Sequence, residues 1–174
     1  QQRYRIIFRE ENGGKGAAVR QGMIAAKGNW RLFMDADNST SIIEFNKMIP
    51  HIEEGYEIVI GSRAVKGAKM NPPQTSIKRF AGRLGNYFVR LILLKKIKDT
   101  QCGFKCFSEE ASRKIFPLLR ISRWGFDMEA LALARKIGYQ IKEMPVHWVN
   151  DARSHVTLGA YFKTLLEAIK IRWG

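Results

Sequence analysis

Residues 12–40 read NGGKGAAVRQGMIAAKGNWRLFMDADNST, and the fold is decided here. A Gly-rich turn at Asn12–Gly16 opens the stretch. A helix is expected from Ala17 to Lys27, stopped by Gly28. Trp30 to Met34 is a short apolar run carrying one Arg, and it reads as a buried strand. The run ends on two acids, Asp35 and Asp37, with only Ala36 between them. In open α/β sheets ligands bind beyond the carboxyl ends of strands. On extended chain, residues i and i+2 point the same way. Two carboxylates on one side make a site for a hard divalent cation, Mg²⁺ or Mn²⁺, which also takes phosphate oxygens and water. Asp, Asn and Ser equally favour turns and helix caps, and "DNSTS" ahead of a helix fits capping as well.

The turn "NGGKG" lies between a strand and a helix, where backbone N–H groups meet anions and Lys15 adds charge. It is neither a Walker A loop nor G-x-G-x-x-G. Alone it reads as an ordinary strand-to-helix turn. Working outward, Tyr4 to Arg9 is expected as a strand. Ile42 to Glu54 is expected to be helical with an interruption at Pro50, and Tyr56 to Ile60 to be a third strand. This alternation predicts an α/β domain with a largely parallel sheet.

After Arg63, "AVKGAKMNPPQT" reads as a loop. Ile77, Phe80, Ala81, Leu84, Phe88, Leu91 and Ile92 recur at helical spacing, which predicts an amphipathic helix from Ile77 to Lys98 with a cationic side. Such a helix suits either a core with a solvated basic face or an anionic lipid surface. "CGFKCFS" reads as a short strand, and Glu109–Leu119 and Asp127–Ile137 as helices. Gln140–Val149 reads as extended chain, and Thr157–Ile171 as a last amphipathic helix.

The 174 residues suffice for one domain, and 45% are hydrophobic. Lys and Arg number 30 against 16 Asp and Glu, a formal charge of +14. The excess favours an anionic partner. No helix-turn-helix, RRM, KH or zinc-finger pattern is present, so nucleic acid is not expected. Cys102 and Cys106 lack the further ligands that zinc needs and are expected as free thiols in a reducing compartment. No apolar run approaches the roughly 18 residues of a membrane span, and no signal peptide is read. Trp124, Trp148 and Trp173 suit core or interface equally.

Six segments carry a family resemblance: residues 12–40, "IVIGSR" (58–63), "KRFAGRLGNYFVRLIL" (78–93), "DTQCGFKCFS" (99–108), "RWGFDMEALALARKIGY" (123–139) and "EMPVHWV" (143–149). In order and spacing the set resembles the family 2 glycosyltransferases of GT-A fold, in the branch containing dolichyl-phosphate β-glucosyl- and mannosyltransferases. The resemblance implies a Rossmann-like, mostly parallel α/β sheet flanked by helices. It also implies a nucleotide-sugar donor and a polyprenyl-phosphate acceptor, dolichyl or undecaprenyl, at the cytoplasmic face of a membrane.

It implies that Asp35 and Asp37, with Ser39, hold the metal and the donor diphosphate. Lys15 and Gly16 fall on the donor side. Arg63, Arg79 and Arg83 would line the active site and grip phosphate, with Asp99, Gln101 and Gly103 below the sugar. Asp127 and Glu129 match the acids of an "FDxE" helix and are expected to orient sugar hydroxyls or a basic residue. "RWxFDxE" tilts the donor toward UDP-glucose, with GDP-mannose next.

The family's P-x-Y-N-E and D-D-x-S segments, which bind base and ribose, do not occur here. The chain therefore reads as a single catalytic domain, 1–174, incomplete at its N-terminus and weak in donor binding by itself. Where the family often has Gly-Ser-Lys, this chain has Arg153, Ser154 and His155, and a protonated His meets phosphate. The alternatives are a polysaccharide, glycolipid or protein acceptor, or an inactive fragment.

Overall fold

The apolar run Trp30–Met34 forms strand β1, with Arg31 and Phe33 on its buried side. In the computed structural model residues 4–71, 87–149 and 158–173 are described, residues 158–164 by their backbone alone. Helix α1 (Lys15–Ala25) precedes β1. After it come a 3₁₀ turn (Ile42–Lys47) and the short α2 (Ile49–Glu53), with Pro50 in the first turn, where its missing N–H costs nothing. Then follow β2 (Ile58–Ser62), β3 (Lys69–Asn71) and a helical stretch α3 over 87–92. The chain continues through β4 (Phe104–Ser108), α4 (Glu109–Ile115), α5 (Phe126–Ile137), β5 (Ile141–Pro145), β6 (His147–Val149) and α6 (Leu158–Trp173). Local chemistry sets several ends. The Ser108 Oγ accepts from the Ala111 N–H at 3.1 Å to cap α4. Gly138, at φ 104°, closes α5 in the left-handed region that glycine favours.

Four strands form one sheet in the order β1-β4-β2-β5. β4 is antiparallel to both β1 and β2, whereas β2 and β5 are parallel. Three of the four strands, β1, β2 and β5, run one way as expected, and β4 is inserted between them in reverse, which makes the sheet mixed. A strand buried on both faces carries no mark of its direction in its residue pattern, and four of the five residues of β4 are buried. Alternation along the strands splits the core. Phe33, Ile58, Ile60 and Phe107 pack beneath the helices with Ile115, Phe116 and Phe126. Val59, Phe104 and Cys106 pack on the other face with Met48, Met144 and Val146.

Three further expectations are corrected. Residues 4–9 form no strand, and Tyr4 and Phe8 are 78% and 86% exposed. No strand among the described residues pairs with them, and their backbone is left to water. The loop after Arg63 contains β3, which pairs in parallel with β6, so the extended run 140–149 divides between two sheets at Val146. Of the helix expected over 77–98, residues 77–86 lie outside the described residues, 87–92 are helical and 93–98 are not. Leu94 and Ile97 leave the helical course to fill the core.

Arg31 is buried in β1. Its guanidinium donates to the Gly28 and Met23 carbonyls at 3.2 and 3.3 Å and reaches Glu109 at 3.2 Å, tying the end of α1 to β1 and α4. Arg31→Met is expected to strand both carbonyls and lower stability by about 2 kcal/mol. A shifted urea midpoint with an unchanged slope would register this.

Candidate active site

The carboxyl ends of β1 and β2 and the start of β4 share one edge of the sheet, because Met34 pairs with Phe104. The next amide, Asp35 N–H, donates to the Gly103 carbonyl at 2.9 Å. The chain then turns. Asn38 N–H donates to the Asp35 carbonyl at 3.2 Å, and Asn38 sits at φ 54°, a region Asn tolerates. Both acids therefore lie on a turn, and the two-residue alternation expected of extended chain does not operate. Asp37 Oδ1 accepts from the Ser39 N–H at 2.9 Å, so the capping tendency of this stretch is also realised. The Asp37 side chain remains exposed. Ser39 is buried, and its carbonyl accepts from Val149 N–H at 2.7 Å, which moors the turn to β6.

Asp35 is held from two sides. Lys15, the first residue of α1, places Nζ 2.6 Å from Asp35 Oδ1, and the same ammonium lies 5.5 Å from the Trp124 ring centroid. Beneath the carboxylate is Gly103, where an added Cβ would lie 2.1 Å from Asp35 Cγ. Gly16 has a packing task of its own. Its Cβ position is 2.8 Å from the Ile121 carbonyl oxygen and 2.8 Å from Phe126 Cβ. The Gly-rich turn is thus pressed onto the 121–126 segment, and Ala17 N–H donates to Ser122 O at 3.1 Å.

A second charged unit stands at the end of β2. Arg63 Nε and Nη2 grip Asp99 at 2.7 and 3.0 Å, and the Arg63 amide adds a third bond at 2.9 Å. The guanidinium lies 5.4 Å from the Trp148 ring centroid, which gives this Trp a site role. Glu143 of β5 accepts from the backbone of Lys98 and Asp99 at 2.7 and 2.9 Å, and Asp99 Oδ1 accepts from Gln101 N–H at 3.2 Å. Burial alone would raise the Asp99 carboxyl, but the Arg63 charge and bonds outweigh it and hold Asp99 at about 2. The fork of Arg63, expected to hold phosphate, is therefore spent on Asp99.

The "FDxE" acids face inward. Glu129 accepts from the Arg120 and Ile121 amides at 3.0 and 2.8 Å and fixes the loop before α5. Asp127, 3% exposed, accepts from Lys105 Nζ at 2.5 Å. Burial pushes the Asp127 carboxyl above its ordinary range, against the pull of Lys105 and Lys15. Sequence reasoning passed over Lys105. The available signal was a lone cation inside the apolar strand "GFKCF". Cys102 and Cys106 are free and buried, and burial pushes their thiols up to about 11 and about 12. Arg79, Arg83, Arg153, Ser154 and His155 lie outside the described residues.

No group of three or more His, Cys, Asp or Glu side chains fit for a metal occurs among the described residues. The donor set on the turn is two carboxylates. That set matches Mg²⁺, which takes one or two carboxylates and completes its shell with water and phosphate.

Comparison with known proteins follows the same lines. The profile of Glycosyl transferase family 2 matches residues 1–116. A dolichyl-phosphate beta-glucosyltransferase of Dictyostelium discoideum is 38% identical over 149 residues, 83% of this chain and 46% of that protein. One from Saccharomyces cerevisiae is 36% identical over 186 residues, 98% of this chain and 53% of that protein. The chain spans about half the length of the curated relatives it matches. Among solved structures, glucosyl-3-phosphoglycerate synthase from Mycobacterium tuberculosis in complex with UDP aligns with a TM-score of 0.63 at 16% identity, over 92% of this chain and 55% of that one. That likeness shows the GT-A type of α/β fold.

Gly103→Ala is expected to displace the Asp35 carboxylate and weaken Mn²⁺ binding by about 10- to 100-fold, read by electron paramagnetic resonance on folded protein. Asp99 is a depressed carboxyl, so its contribution to stability is complete above about pH 4 and is lost as pH falls through about 2. Asp99→Asn is expected to cost on the order of 2 kcal/mol at neutral pH. It should also flatten the acid limb of a stability-versus-pH profile over that window.

Proposed function

The chain belongs to glycosyl transferase family 2, and from that membership we propose that it carries the metal-and-diphosphate side of a hexosyltransferase active site. The enzyme would move glucose from UDP-glucose to a polyprenyl phosphate, with inversion, at the cytoplasmic surface of a membrane. The observation that carries this reading is the two-carboxylate turn seated on Gly103 at the carboxyl end of β1. The relatives' names, dolichyl-phosphate beta-glucosyltransferase, favour glucose as the sugar and dolichyl phosphate as the acceptor.

Asp35 and Asp37 would hold Mg²⁺ or Mn²⁺, and a bound cation there neutralises charge on a diphosphate leaving group. Lys15, at the start of α1 and 2.6 Å from Asp35, adds a cation on the same side. Gln101 and Gly103 form the floor where the sugar would lie. A polyprenyl phosphate is already anionic near neutral pH, its second pKa being about 6, so transfer needs no strong general base. Asp127 and Glu129 fit that economy, since their carboxylates are committed to Lys105 and to backbone amides. They hold the wall of the site rather than remove a proton. With Arg63 bound to Asp99, the acceptor phosphate falls to Arg79 and Arg83 in this reading.

The membrane part of the proposal rests on α3 and α6. They pack together through Val89 and Ala168 over Met128. Tyr87 and Leu91 of α3 remain exposed, as do Leu166 and Trp173 of α6, which also carries Lys170 and Arg172 in its last turn. Apolar and cationic side chains together suit the headgroup boundary. No helix among the described residues is long and apolar enough to cross a bilayer.

The test is transfer of labelled UDP-glucose or GDP-mannose to a polyprenyl phosphate in detergent by the intact protein, with Mg²⁺ or Mn²⁺. Label in the lipid is expected from UDP-glucose, abolished by EDTA and reduced at least about 100-fold in Asp37→Ala. Metal-independent label, or label only on a polysaccharide, glycolipid or protein, would overturn the assignment.

A further inference from the structure

Lys105 has no place in the chemistry above, yet no charged side chain among the described residues is more buried. Its relative exposure is 0%. It sits in the middle of the sheet, opposite Phe33 on β1 and Ile60 on β2. Its Nζ is 5.5 Å from the Phe33 ring centroid, inside the aromatic half of the core. Apolar neighbours give an ammonium no reason to be there. Two groups do. Nζ donates to the Cys102 carbonyl and to Asp127 Oδ1, each at 2.5 Å.

Both partners lead to Asp35. The Cys102 carbonyl also accepts from Phe104 N–H at 2.8 Å, so the chain makes a tight turn about Gly103. Gly103 is the residue whose missing side chain leaves room for the Asp35 carboxylate, and its own carbonyl takes the Asp35 N–H. Asp127 is in the first turn of α5, directly after the loop that carries Trp124, and Trp124 flanks the Lys15 ammonium that holds Asp35. One buried cation thus joins the floor of the Asp35 turn to its wall.

We propose that Lys105 is a positioning residue: it touches neither substrate nor metal, and it fixes the Cys102–Gly103 turn against the start of α5 so that Asp35 and Asp37 are held ready for a cation. Stability alone does not require the pair. Replacing a buried ion pair with apolar residues of similar volume is often neutral or stabilising, while removing one partner strands a buried charge. This separates a positioning role from a merely structural one.

The decisive variant is the double replacement Lys105→Met with Asp127→Leu, compared with Lys105→Met alone. The single variant is expected to lose thermal stability, and the double variant to regain it. Two site readouts should remain impaired in the double variant. Hydrogen exchange of the Asp35 amide, which is bonded to Gly103 O, should be at least about tenfold faster than in the wild type. Mn²⁺ affinity should fall about 10- to 100-fold. Wild-type exchange at Asp35 in a stable double variant would overturn the proposal.

If that double variant does not fold, Lys105→Met with Asp127→Asn decides, because it removes the ammonium with both of its bonds and leaves no buried charge unpaired. Faster Asp35 exchange is then expected, and the wild-type rate would overturn the proposal. The role of Lys105 toward a cation rests on the glycosyl-transfer reading, but the amide readout does not. Wild-type protein that binds no Mn²⁺ would defeat that reading and still leave the positioning role decided by exchange.

Discussion

A carboxylate occupies the space that a side chain at residue 103 would need. Much of the candidate site depends on that exclusion. With Gly103 bare, the antiparallel register of β1 and β4 carries the Asp35 amide onto the Gly103 carbonyl and lays the Asp35 side chain over its Cα. The turn that follows then presents Asp37 to solvent, while Ser39 is moored to β6. A Cβ at 103 would fall 2.1 Å from Asp35 Cγ, so the carboxylate would have to leave the place where Lys15 holds it.

Around this turn the charges are arranged in pairs. Burial by itself penalises every ion, and isolated charges in a core are not sustained. Asp99 is kept ionised by the fork of Arg63, and Asp127 is paired with Lys105 while burial still pushes its carboxyl upward. Lys15 serves Asp35 at the rim. The pairs differ in reach. Arg63 stacks by Trp148 at the edge, where part of its side chain meets water, whereas Lys105 is sealed among aromatic rings. The outer pairs are partly open to solvent. The inner one is placed to hold backbone.

The proposed glycosyl transfer would give these pairs a common purpose. It would bring two phosphate-bearing partners together, and the net charge of +14 would favour their approach. Under the same proposal, the exposed apolar residues of α3 and α6, with Lys170 and Arg172 in the last turn of α6, would suit an acceptor tethered in lipid.

The sequence by itself determined where most of the elements lie and which family they resemble. Periodicity and turn residues located α1, β1, β2, β4, α4, α5 and α6 to within a few residues, because burial of a regular face imposes its period on the chain. The spacing of Asp35 and Asp37 after an apolar run marked the candidate site, and with "DTQCG" and "RWGFD" downstream it carried the family resemblance. Only the tertiary structure decided how β4 runs, because a strand buried on both faces is silent about direction. Only it assigned Arg63 to Asp99, Glu129 to backbone amides and Lys105 to Asp127. Each of those bonds joins residues whose meeting depends on sheet register and helix packing, and no local pattern of residue types encodes a partner that arrives from 8 to 36 positions away.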